Sequence, residues 1–177
     1  MPIDWTKNSE EAAREVVRET EAFLGAQLTL AVAADQRSSS MASIFTAAGA
    51  GLIVGLIALA STNDARDPSA LGIYLGGGFA SLLFLVAAIR CVYAALPVGF
   101  QVPGNVAESW KADIENGRSL RCALGEQAEN YDGKIAANDK VLKHNAALFK
   151  SGAIIAVWAP VAGAAIWLAV LLCQHAH

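Results

Sequence analysis

Two hydrophobic regimes alternate along this chain. Over residues 8–34, Val16, Val17, Phe23, Leu24, Leu28 and Ala31 recur at three-, four- and seven-residue spacing and define one face, the mark of an amphipathic helix that needs a partner surface. Arg14, Glu15, Arg18, Glu19 and Glu21 fill much of the remainder, with Arg14/Arg18 and Glu15/Glu19 as like-charged i,i+4 pairs. An interfacial anchor carries more Lys and Arg on its polar face than this, so the helix is expected to pack on protein. Asn8, with Glu11 three residues on, has the form of a capping box, and Glu10 and Glu11 suit the positive end of the helix dipole. Residues 1–7 are expected to be loose.

From Met41 the regime changes. Met41–Ala60, Ala70–Ile89 and Ser151–Cys173 each run without a charge. A helix of about 20 residues rises about 30 Å, the hydrocarbon thickness of a bilayer. Between the first two runs, Ser61–Ser69 is a short polar stretch with turn chemistry at Asn63-Asp64 and Asp67-Pro68. After the second, Pro97, Gly99, Pro103 and Gly104 stop any helix from continuing. Helical character returns over 106–150, predicting a short helix near 106–116 and a long one from about 119 that feeds the third run. Trp110 and Ile114 pair on the first of these; Leu120, Leu124, Tyr131, Ile135, Leu142 and Phe149 form the stripe of the second. Asn138 and Asn145 stand seven apart, either on a packing face where they would fix register or in solvent. Pro160 is expected to kink the third run.

The predicted fold is all-α: three transmembrane helices (41–60, 70–89 and 151–173) plus a cytoplasmic helical bundle from the N-terminal helix (8–34) and the long segment between the second and third spans (106–150). Residues 1–177 are read as a single membrane domain. Composition agrees, with 55% hydrophobic residues and a mean hydropathy of +0.41. The N-terminus is acidic and amphipathic rather than basic then apolar, so the first span is expected to serve as its own insertion signal.

Lys and Arg set the orientation. Lys7, Arg14, Arg18 and Arg37 precede the first span, and Arg66 alone lies between the first and second. Arg90, Lys111, Arg118, Arg121, Lys134, Lys140, Lys143 and Lys150 lie between the second and third, and none follows. That distribution places the N-terminus in the cytoplasm and the C-terminus outside.

Chemistry narrows the function classes. A net charge of −3 argues against a general nucleic-acid partner. No P-loop, Rossmann glycine loop, HExxH, CxxC pair or GxSxG is present, and neither an enzyme nor a metal site is expected. Cys91, Cys122 and Cys173 are expected to be isolated reduced thiols. His144 is expected in solvent, and His175 and His177 at the chain's tip. No ionisable residue lies inside a span, which removes a proton relay. Small residues four apart allow close helix approach, so Ala47, Gly51 and Gly55, or Gly72 and Gly76, are candidates for packing between copies. Asp35 and Arg37, two apart at the mouth of the first span and so on different helix faces, each call for a partner on another segment. They serve either as an interfacial anchor or as a ligand and gating contact.

The stretch Ala33-Ala34-Asp35-Gln36-Arg37-Ser38-Ser39-Ser40-Met41-Ala42-Ser43-Ile44-Phe45-Thr46-Ala47-Ala48 leads into the first span behind an amphipathic helix. The stretch Glu126–Lys150 feeds the last span. In arrangement and loose pattern, over most of residues 10–173, this resembles the Pycsar membrane effectors and the related SLATT-type small bacterial membrane proteins. Members of that group carry an Asp-x-Lys-Ala-like step before the first span; here Asp35-Gln36-Arg37-Ser38 keeps the acid–x–base order with serine in place of alanine. No nucleotide-binding module is legible in these residues. The resemblance implies an oligomeric effector of the bacterial inner membrane in anti-phage defence, which impairs membrane integrity when triggered by a cyclic nucleotide. Its expected partners are the lipid bilayer, further copies of itself and that nucleotide, with no other cofactor. Two alternatives stay open: an adaptor subunit anchoring a soluble partner, and a small constitutive channel.

Overall fold

A computed structural model describes residues 3–62 and 68–175. Among these residues the chain is helical throughout, with no strand. Helix α1 spans Glu10–Thr62, α2 Pro68–Ala94, α3 Lys111–Glu115 and α4 Leu120–His175, with short 3-10 turns at Trp5–Lys7 and Ala107–Trp110. Three of the four helices, α1, α2 and α4, are long and apolar enough to cross a membrane. The expected turns at Asn63-Asp64 and Asp67 lie outside the described residues; Pro68 opens α2, where a helix spares the missing N–H.

The largest departure from expectation is α1. The segments 8–34 and 41–60, read as two elements, belong to one uninterrupted helix. The serines between them do not break it, because Ser40 Oγ donates to the Gln36 carbonyl at 2.9 Å and Ser43 Oγ to that of Ser39 at 3.1 Å. A serine that bonds back to residue i−4 satisfies its hydroxyl inside the helix. The cap also shifts by one position. Ser9 Oγ accepts from the Ala12 amide at 3.1 Å and the Ser9 carbonyl accepts from Ala13, while the Asn8 side chain accepts only from the adjacent Ser9 amide. Ser9 is therefore the N-cap. Nor do the like charges stand opposed: Glu10 pairs with Arg14 and Glu15 with Arg18.

The chain divides into two compact units. The first comprises the chain up to Ala33 with Pro97–Lys143. Here α1 buries Ala13, Leu24 and Gln27, while Val16, Val17, Leu28 and Ala31 are half-buried and Phe23 faces out at 54% exposure. The facing seam of α4 buries Ala128, Tyr131 and Asn138. Intervals of eleven and three on α1 and of three and seven on α4 keep each set on one helix face, as in helices packed side by side. Full burial of a side chain such as Leu24 stabilises the unit by about 1.5–3 kcal/mol.

The N-terminal arm, expected to be loose, is docked. The Trp5 ring lies directly over Gly125, whose missing Cβ leaves the room, and Trp5 Nε1 donates to Glu129 Oε1 at 2.9 Å. Gly117, with φ +61°, ends α3 in the left-handed region that a glycine enters without cost.

The second unit comprises Ala34–Leu96 with His144–His177. Its core gathers Ala42 and Phe45 from α1, Ala87, Ala88 and Cys91 from α2, and Ala156 from α4. The Phe45 and Phe84 rings meet at a tilt of 36°, 6.4 Å between centroids. Helix α4 runs unbroken through Pro160. Cys91 is buried, Cys122 half-buried and Cys173 exposed, all as free thiols.

Candidate functional site

Within the second unit the small residues divide by role. On α2, a Cβ placed on Gly72 would meet the Trp167 ring at 2.9 Å, and one placed on Gly163 of α4 would lie 2.7 Å from the Gly76 carbonyl oxygen. Gly76 faces Gly163 just as closely in return. No side chain fits between these backbones, so Gly72 and Gly76 pack α2 against α4 inside one chain. On α1 the arrangement is the opposite. Ala47, Gly51 and Gly55 are exposed, and nothing stands within 4 Å of a Cβ built on Gly51 or Gly55. The side of α1 that packs on α2 is instead the one bearing Gly49, whose carbonyl accepts from buried Ser81 Oγ at 2.8 Å.

An apolar groove of about 620 Å³ opens among the same helices, lined by Leu52 and Leu56 of α1, Gly76 and Phe84 of α2, and Pro160 and Trp167 of α4, among others. It offers contact area and almost no hydrogen-bonding group.

Asp35 and Arg37 part company. The Arg37 guanidinium stands 4.6 Å from the centroid of the Phe149 ring, a cation–π contact that ties α1 to α4. Asp35 is half-buried within α1, and its side chain meets no hydrogen-bond or ion-pair partner among the described residues. The structure thus gives Arg37 its partner on another segment and gives Asp35 none.

The first unit holds a polar constellation that sequence spacing only hinted at. Gln127, Tyr131, Lys134 and Asn138 stand on successive turns of α4 and grip the extended stretch after α2. Asn138, with no exposed surface, takes the Gln101 amide on Oδ1 at 2.8 Å and gives Nδ2 to the Gln101 carbonyl at 2.9 Å. The Tyr131 hydroxyl donates to Glu21 Oε1 at 2.6 Å and accepts from the Gly104 amide at 3.1 Å. Lys134 Nζ reaches the Gly104 carbonyl at 3.3 Å while lying 5.1 Å from the Tyr131 ring centroid, and Gln127 meets Asn105. Burial first, then the hydrogen bond to Glu21, pushes the Tyr131 phenol above its ordinary value. Of the two asparagines seven apart, Asn138 is buried and fully bonded, whereas Asn145 is half-buried. The heptad interval was the available signal; that the partner would be the Gln101 backbone was not in it.

Beside this grip lies a polar pocket of about 210 Å³ with Trp110, Asn105, Asn130, Gln127, Asp113 and Glu126 on its walls. Arg118 bridges the two carboxylates and is held further toward its charged form by them, Asp113 foremost. With two carboxylates against one guanidinium, the charge around this pocket disfavours phosphate. No group of three or more His, Cys, Asp or Glu that could hold a metal occurs among the described residues. No family model, no curated protein and no solved structure matches this chain.

Proposed function

We propose that this protein is a self-associating effector of the bacterial inner membrane, acting in defence against phage by impairing the membrane when a cyclic nucleotide signal arrives. Support for a membrane site comes from three helices long and apolar enough to cross one. The observation that carries self-association is the unequal use of small residues. Gly72 and Gly76 are consumed by contacts within the chain, whereas Ala47, Gly51 and Gly55 lie bare on a helix that a second backbone could approach closely. The nucleotide trigger and the defence role rest on the resemblance to Pycsar and SLATT-type effectors, and Arg37, held on Phe149, and the unpartnered Asp35 are the gating contacts we assign.

Dye uptake by cells expressing the protein, with and without a panel of cyclic nucleotides, tests this function. Nucleotide-dependent leakage is expected, reduced by the Gly51→Leu/Gly55→Leu pair. Intact membranes under every nucleotide, with the protein verified in the membrane fraction, would instead favour an adaptor. That second reading draws on the exposed apolar side chains Val106 and Ile114 of the first unit, at 71% and 74% exposure, where a soluble partner could sit.

A further inference from the structure

Most cations of the first unit are spoken for. Arg14, Arg18, Arg118 and Lys143 pair with carboxylates, and Arg121 and Lys134 reach main-chain carbonyls. In the second unit Arg37, Arg90 and Lys150 are exposed and meet no carboxylate among the described residues. The one carboxylate of that described unit, Asp35, lies two residues from Arg37 and so on another face of α1.

Two of these three cations come together. The Phe149 ring, 4.6 Å from the guanidinium of Arg37, occupies its face and leaves its edge of N–H donors free, the fork that takes phosphate oxygens in pairs. Lys150 follows Phe149 on α4, about 100° around the helix, and so flanks the same contact. Arg90 emerges elsewhere. Its Cβ stands 3.1 Å from a Cβ built on Gly152, a position nearly opposite Lys150 around α4.

Below the pair the surface turns apolar. Ile44 follows Arg37 by seven residues and Val157 follows Lys150 by seven, so each continues the face of its cation about 10 Å farther along the helix. They are 57% and 70% exposed, and Ile154, one turn beyond Lys150, is 49% exposed. All three lie in the charge-free runs 41–60 and 151–173. A free phosphate gains nothing from such side chains, whereas a phospholipid meets cations at its phosphate and apolar surface along its tails. Basic positions between spanning helices are where acidic headgroups bind.

We propose that Arg37 and Lys150 hold the phosphate of an anionic phospholipid whose tails lie along Ile44, Ile154 and Val157. The proposal rests on the membrane reading above and is independent of the nucleotide trigger. Native mass spectrometry of the full chain in neutral detergent, titrated with dioleoyl phosphatidylglycerol or dioleoyl phosphatidylcholine, tests it. Phosphatidylglycerol is expected to bind about tenfold more tightly, and Arg37→Gln/Lys150→Gln to erase that preference with helix content by circular dichroism unchanged. Lys150→Gln alone, which leaves Arg37 on Phe149, is expected to lower it about threefold, and Arg90→Gln to leave it intact. Equal binding of the two lipids by wild type, or an Arg90→Gln chain that loses as much as the double variant, would overturn the site. Displacement of phosphatidylglycerol by inorganic phosphate would overturn the lipid in favour of a soluble anion. A chain that alkaline carbonate releases from membranes would overturn the membrane reading and this site with it.

Discussion

Glycine serves opposite ends at different places in this chain, and substitution separates them. Gly76 and Gly163 touch backbone to backbone, so Gly76→Ala forces the helices apart and is expected to cost about 1–3 kcal/mol, the ordinary penalty of overpacking. Gly51 faces open space, and Gly51→Ala is expected to stabilise the isolated chain by about 0.5–1 kcal/mol through helix propensity alone. Thermal unfolding in detergent, followed by circular dichroism, reads both; equal effects would mean that α2 and α4 do not meet there. Asn138→Ala strips the Gln101 amide and carbonyl of their partner and is expected to cost about 1–3 kcal/mol. Hydrogen exchange at the Gln101 amide should accelerate to match, and an unchanged rate would show that the grip is absent in solution. The raised Tyr131 phenol gives a pH dependence with a definite sign. Its contribution is complete below the ordinary tyrosine value near 10 and is lost as pH climbs through the higher folded value. Tyrosinate absorbance of wild type minus Tyr131→Phe should show a phenol titrating above the ordinary tyrosine value.

At the scale of elements, the capping of α1 offers a one-residue discrimination. Ser9→Ala removes the side chain that accepts from Ala12 and is expected to cost about 0.5–2 kcal/mol. Asn8→Ala removes a contact only to its neighbour and should fall within about 0.5 kcal/mol of wild type. The reverse order would restore Asn8 as the cap. Much of the helical layout was legible because charge-free runs and apolar periodicity survive without tertiary context, as the agreement of 70–89 with Pro68–Ala94 and of the long helix expected from about 119 with the start of α4 at Leu120 attests. The union of 8–34 with 41–60 was not. Asp35-Gln36-Arg37 and three serines have the composition of a boundary, and only the i−4 hydroxyl bonds reveal that they are helix. The candidate residues fared similarly. Small-residue spacing singled out both sets of glycines but could not say that α4 already occupies one of them. Tyr131 and Asn138 carried a periodic signal, but their grip on the Gly104 and Gln101 backbone did not, because main chain leaves no mark in side-chain pattern; Gln127 and Lys134 carried no signal at all.

For the whole molecule, the simplest consequence of three long apolar helices is how the protein fractionates. It is expected in the membrane pellet and should stay there through alkaline carbonate, which strips proteins held only by surface charge; release into the supernatant would contradict the spanning arrangement. The contact of Gly76 with Gly163 also bears on manufacture. Gly76 and Gly163 lie far apart in sequence, whereas Ser81 and Gly49, which join α1 to α2, are separated by only 32 positions. A ribosome emits the α1–α2 hairpin first, and for the whole time needed to make the stretch from Pro97 onward the glycine face of α2 waits uncovered. During that interval the nascent chain is open to an insertase, or to capture by a sister hairpin on the same message. Ribosome stalling before α4 should therefore yield complexes joined through Gly72 and Gly76 that the finished protein has no means to form.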